Sequence, residues 1–162
     1  PAGTLFLVRA TAVTETMVCG EMFDGEFFLY REDADFAMRF RRAGHKTRFA
    51  PAARAHHYRG MFGADHQSLW QRFCTRRMRR PSAAALAMRN QLFVLFKNLT
   101  IGELVRSSFW IVLMNGSRVL YGFVVEPETR RALLRMPLLL PSMFRKRQAV
   151  KAMARVPMQE LR

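Results

Sequence analysis

Acidic side chains are scarce in this sequence. It holds 12 Asp and Glu against 27 Lys and Arg, for a net charge of +15 over 162 residues. Cysteine is scarcer still, with Cys19 and Cys74 alone. Two isolated cysteines make no metal-type spacing and no disulfide framework, so they read as free thiols in a reducing compartment. No uninterrupted apolar run reaches the roughly 20 residues that a membrane-crossing helix needs. The longest, Ile101 to Val125, is broken by Asn115, Gly116, Ser117 and Arg118, so a transmembrane helix is not expected. No internal repeat and no signal peptide is visible. The chain opens on Pro-Ala-Gly in what reads as the middle of a strand, which is the pattern expected of a fragment whose N-terminal part is missing.

What is present divides unevenly. Half the residues are hydrophobic, enough for a core. Residues 1–65 carry 9 basic and 8 acidic side chains, whereas residues 66–162 carry 18 and 4. The division predicts a folded, catalytic first segment and a basic helical extension over 66–162. Arginine outnumbers lysine 23 to 4, which suits bidentate contact with phosphate in nucleotides or lipid headgroups. Base composition of the genome gives the same bias.

Periodicity and turn chemistry place the elements. Residues 4–8, 47–50 and 53–58 read as extended, and Ala12 to Cys19 as a short helix. Phe23-Asp24-Gly25 reads as a turn. A helix is expected over residues 33–43, with Phe36, Phe40 and Ala43 on one face, Arg39 and Arg42 off it, and Gly44 as the stop. Ser82 is expected to cap a helix reaching Asn98. Glu128 to Arg135 and Met143 to Arg155 read as basic amphipathic helices around a Pro-flanked PLLLP. The run Arg76 to Arg80 reads as a solvated basic face or a contact for anionic headgroups.

Chemistry concentrates at the mouth of the helix over 33–43. Glu32, Asp33 and Asp35 sit within four residues, and a histidine pair, His56 and His57, ends the next expected strand. A carboxylate can accept a proton from an attacking hydroxyl, and an imidazole can hold a metal that stabilises a departing diphosphate. The plainer reading is also physical: acids at a helix start favour its dipole. Asp35 and Arg39 are spaced i, i+4 and read as an ordinary ion pair. Adjacent histidines on a strand point to opposite faces, so one of them at most serves a single site. Phe27, Phe28 and Tyr30 read first as packing.

The series Phe23-Asp24, Phe27-Phe28, Glu32-Asp33-Ala34-Asp35, Arg39, Gly44, Pro51 and His57 resembles a motif of family 2 glycosyltransferases. Arg89-Asn90 and Phe96-Lys97-Asn98 are similar to a helix in rhamnosyltransferase-like bacterial members. The resemblance implies an α/β fold, the C-terminal half of a GT-A domain followed by a basic α-helical tail. It implies an inverting transfer of a sugar from a nucleotide-diphospho-sugar to a glycan or lipid-linked acceptor. Asp33 would be the base, Glu32 would orient it, Tyr30 would contact the acceptor, and His57 would bind Mn²⁺ or Mg²⁺. The family's Asp-x-Asp metal motif would then lie upstream, and the enzyme would sit in the cytoplasm, peripheral on the inner face of the membrane.

The competing expectation is a non-enzymatic cationic module that binds a membrane surface or nucleic acid. Against nucleic acid, the basic residues are scattered among apolar runs and no recognition motif is present, so no nucleic-acid partner is expected. An anionic membrane surface remains as a partner under either reading.

Overall fold

A computed structural model describes residues 5–56 and 81–156. Among the described residues the regular structure is helical. The order is α1 (Ala10–Thr16), α2 (Glu32–Arg42), α3 (Pro81–Asn98), α4 (Ile101–Arg106), α5 (Ser108–Val125), α6 (Pro127–Leu134) and α7 (Met136–Met153). No strand or sheet is formed by these residues; one isolated antiparallel bridge links Val18 and Glu21. The expected α/β fold is therefore corrected to an all-helical one, and the GT-A half-domain with its family assignment falls with it. The physical reason is pairing. Residues 5–9 and 45–56 are non-helical, as their composition suggests, but no neighbouring strand satisfies their backbone, and Leu7 is fully exposed. After Ala50 the chain makes a turn, with the Ala53 N–H donating to the Ala50 carbonyl at 3.0 Å. His57 and Tyr58, at the end of the third expected strand, lie outside the described residues, as do Cys74 and the Arg76–Arg80 run.

Helix α2 lies where local chemistry puts it. Three acids occupy its first turn and three arginines its last, complementing the helix dipole at both ends. Gly44, at φ +91°, closes it. The Gly44 N–H donates to the Arg41 carbonyl and the His45 N–H to the Phe40 carbonyl, the double bond of a Schellman stop. The His45 and Phe40 rings pack across that stop, 4.6 Å between centroids.

Helix α3 is the central element and ends at the expected Asn98. It packs on α2, α6 and α7. Phe27, Phe93, Val94 and Met143 form the buried apolar cluster, with Met38, Phe96, Met136 and Leu139 against it. Helix α4 opens with a reciprocal cap. The Thr100 hydroxyl accepts from the Glu103 N–H at 3.2 Å, while the Glu103 carboxylate accepts from the Thr100 N–H at 2.7 Å.

The expected interruption at Asn115–Arg118 does not break α5, which runs continuously for 18 residues. The Asn115 amide donates to the Ile111 carbonyl one turn back, at 3.0 Å, so the polar residues sit within an intact helix. The PLLLP segment also lies inside a helix: Pro137 stands in the first turn of α7, and Pro141 lies in its interior. Helices α5 and α6 meet closely at Gly122, where an added Cβ would stand 2.6 Å from Thr129 Cγ2.

Candidate functional site

Two regions hold the chemistry: a buried polar knot beneath the acidic cluster, and a cleft above it. The knot is built on α3. Asn90, Phe93, Val94, Lys97 and Asn98 are spaced i, i+3, i+4, i+7 and i+8, the period of one helix face, and all five are buried. Lys97 Nζ lies 2.7 Å from Asp24 Oδ2 and 2.8 Å from Asp35 Oδ2. The Lys97 ammonium also sits 4.8 Å from the centre of the Phe27 ring. From α7, Lys146 reaches Asp24 Oδ1 at 2.5 Å. Asp35 Oδ2 accepts from Arg39 Nε at 2.9 Å, and Asp35 Oδ1 accepts from the Asn98 amide at 2.8 Å. The other Arg39 nitrogens donate to the Thr16 and Met22 carbonyls.

The electrostatics follow from this geometry. Burial pushes the Asp24 carboxyl up, but Lys97 and Lys146 outweigh it and hold the group below the ordinary carboxylate range. Burial pulls Lys146 down, while its hydrogen bond to Asp24 and the charges of Asp24, Glu26 and Glu21 raise it above an ordinary lysine. Both groups stay charged at neutral pH.

The same α3 face positions the acidic cluster. Asn90 Nδ2 lies 2.9, 2.9 and 2.8 Å from the carbonyls of Phe27, Leu29 and Tyr30. Arg89 donates to the Glu26 carbonyl at 2.7 Å. These bonds fix a loop in which Phe28, Tyr30 and Arg31 have φ of 57°, 68° and 72°, a conformation costly for side chains other than glycine. The loop delivers the chain into α2, so Asn90 sets where the first turn and its acids stand.

Above the knot, Asp33 lines a cleft of about 1230 Å³ bounded by residues 5–9, α2 and residues 45–55. Phe6, Phe23, Phe36 and Phe40 form its aromatic floor, in a chain of ring contacts with centroids 5.6 to 6.4 Å apart. Arg9, Lys46 and Arg48 line it too. Asp33 also accepts from the Ala34 N–H at 2.7 Å. Glu32 leads the same turn but is not among the residues lining the cleft.

Of the site residues expected from the sequence, Tyr30, Glu32 and Asp33 are neighbours at the start of α2 and all are half-buried. Tyr30 is bound through its carbonyl to Asn90. His57 lies outside the described residues, and His56 is exposed. The divalent cation implied by the resemblance has no donor set here: among the described residues no three His, Cys, Asp or Glu converge. The cationic lining beside Asp33 also opposes a metal ion. The described residues therefore do not by themselves supply a metal site.

Sequence reasoning read Asp24 as turn chemistry and placed Arg39 and Arg42 away from the apolar face. All three are buried. Lys97 and Lys146 are core residues as well. The readable signal was their register. Met143, Lys146, Arg147 and Val150 on α7 share the spacing of a buried face, and so do Asn90, Lys97 and Asn98 on α3.

The third region is apolar and outward. Along α5 only Gly122 is buried, while Phe109, Trp110, Val112, Leu113, Met114, Leu120, Val124 and Val125 are all more than half exposed. This is the one helix, among the described residues, long and apolar enough to cross a membrane by length and composition. Leu134 at the end of α6, and Leu138 and Phe144 on α7, are exposed as well. So are Arg106, Arg118, Arg130, Arg131, Arg135 and Arg145.

The chain was compared with protein-family models, with curated proteins and with solved structures, and none matches.

Proposed function

We propose that this protein is a membrane-surface module that lies on anionic lipid through α5 and its basic flanks. The observation that carries this reading is the exposed apolar face of α5, from Phe109 to Val125, set among exposed arginines. Contiguous apolar surface of this kind marks an interaction site. A helix with aromatic and aliphatic residues beside Arg is suited to the boundary between headgroups and acyl chains. Length does not decide against a span, since eighteen residues at 1.5 Å each cover about 27 Å of the roughly 30 Å hydrocarbon core. Arg118 stands past the middle of α5, where a spanning helix would place it deep in hydrocarbon. Arg118 is the feature that favours an interfacial position over a spanning one.

Flotation of the full chain with vesicles tests this. Binding is expected with vesicles containing anionic phospholipid, weaker with neutral ones, and reduced by salt. Resistance to carbonate extraction would show a spanning helix instead. Indifference to anionic vesicles would reject the reading.

A second reading is favoured by one observation, the place of Asp33 in the cleft. In it Asp33 is the base that takes the proton of an acceptor hydroxyl as a sugar is transferred from a nucleotide-diphospho-sugar to a glycan or lipid-linked acceptor. Glu32 would support it from the same turn, and Tyr30 would meet the acceptor. Losing a positioned base costs about 100- to 10,000-fold in rate. Transfer by the full-length protein should fall by that factor in Asp33→Asn with nucleotide binding retained; unchanged turnover would end this reading.

A further inference from the structure

Between α2, α4 and α7, two buried arginines lie near one carboxylate, and Arg42 is bonded to it. Arg42, Glu103 and Arg147 are 4, 8 and 5 % exposed. Arg42 Nη1 donates to Glu103 Oε2 at 3.0 Å, and the same oxygen accepts from the Thr100 N–H that it caps at 2.7 Å. Among the described residues, Arg42 Nε and Arg147 Nη1 are both buried with no hydrogen-bond partner. The Arg147 guanidinium carbon lies over the Phe96 ring, 5.1 Å from its centre. Burial and the nearby charge of Arg42 both disfavour the charged form of Arg147, and Glu103 only partly offsets them.

The contrast with the neighbouring knot is informative. There, each carboxylate is matched by cations on both oxygens or by a cation and an amide. Here, among the described residues, two cations lie near one anion and two buried N–H groups have no partner. A guanidinium is always charged and presents its donors as a planar fork matched to an oxyanion. We propose that Arg42 and Arg147 form a binding site for a single phosphate-class oxyanion, which supplies the missing negative charge and takes the two unpaired N–H groups. Free phosphate and the phosphate of a lipid headgroup share this chemistry. The inference does not depend on the membrane reading.

Phosphate titration of the full chain at constant ionic strength, with chloride as the balancing anion, tests it. The thermal midpoint of the wild type should rise with phosphate and saturate, and chloride should not reproduce the rise. Arg147→Met, whose side chain can still cover Phe96, should lose the response. Without phosphate it should be no less stable than the wild type, since a buried uncompensated charge is removed. Arg147→Lys, a point charge without the fork, should bind at least tenfold more weakly. If Arg147→Met does not fold, the Nε–H resonance of Arg42 in the wild type provides the same test: it should shift and saturate with phosphate.

Vesicles of phosphatidic acid in phosphatidylcholine distinguish the source. If the ligand is a headgroup, they displace phosphate from the wild type; if it is free phosphate, they do not. An equal response of wild type and Arg147→Met to phosphate, an equal effect of chloride, or an unmoved Arg42 resonance would overturn the site.

Discussion

Between α2, α3 and α7 the molecule buries Asp24 and Asp35 with Lys97, Lys146 and Arg39; along α5 it exposes Phe109, Trp110, Leu113 and Leu120. Charge is inside and apolar surface outside, the reverse of the usual partition. The difference lies in what each region has for a partner. In the knot, the charged groups are matched within hydrogen-bonding distance, from 2.5 to 2.9 Å, so burial is tolerated. On α5 nothing among the described residues covers the apolar side chains, and the membrane-surface proposal rests on that exposure. One region is matched internally through polar contacts, and the other leaves its apolar side chains exposed.

The comparison is broken most sharply from the inside. Replacing Lys97 with Met leaves two buried carboxylates short of a shared cation. Removing one partner from a buried pair typically costs about 3–5 kcal/mol, so urea unfolding of Lys97→Met should show a loss in that range. A loss under about 1 kcal/mol, the net worth of an ordinary hydrogen bond, would mean that the knot is not what holds α2 to α3.

From the outside, Phe109→Ser with Trp110→Ser should weaken vesicle binding while leaving the fold intact. Each buried aromatic contributes about 1.5–3 kcal/mol, so a loss of at least tenfold in partitioning is expected by flotation, with little change in the urea midpoint. A large loss of stability instead would assign these side chains to packing.

At the joint between the two regions, Gly122→Ala would drive a methyl group into Thr129. Overpacking of this kind costs about 1–3 kcal/mol. Thermal unfolding should show the loss, and Gly122→Ala with Thr129→Ser, which removes the clashing methyl, should recover part of it. No recovery would place the strain elsewhere.

The smallest expected effect at neutral pH, and the one that isolates the knot, is its pH dependence. Asp24 is held below its ordinary value of 3.8. Its contribution is therefore present above that value and is lost as pH falls through the lower, folded one. Lys146 is raised above 10.5, so its contribution is present below that value and is lost as pH rises through the higher, folded one. Stability should be flat in these two groups from about pH 5 to about pH 10 and fall on either side. In Lys146→Met the alkaline decline should shrink; an unchanged decline would assign it to other groups.

Several features were legible because their causes are local. The acids that start α2, the arginines that end it and the Gly44 stop lie within 13 residues, and the helix stands over Glu32–Arg42, one residue ahead of the expected 33–43. The Asp35–Arg39 pair forms at 2.9 Å, as its i, i+4 spacing predicts. The end of α3 at Asn98 was readable in the same way. The strands were not, because an extended segment becomes a strand only when a second segment pairs with it, and Leu5–Val8 and Lys46–Ala50 find none among the described residues. Of the candidate site, the sequence placed Tyr30, Glu32 and Asp33 together at one helix mouth. It gave no sign that Asn90, 60 residues from Tyr30, holds that mouth in place.

By itself, then, the sequence determined where α2 lies and where α3 ends, which acids share a turn, and that the second part of the chain is strongly basic. These depend on backbone dihedrals, caps and composition, all of which act over a few residues or need no structure at all. Tertiary structure alone decided that Asp24 is a buried anion rather than a turn residue, that Lys97 and Lys146 are its cations, and that Trp110 faces outward while Arg39 faces in. The cost of burying a charge depends on which opposite charge arrives from elsewhere. Lys97 reaches Asp24 across 73 positions of sequence and Lys146 reaches it across 122, so only the packed chain could settle which side chains are inside.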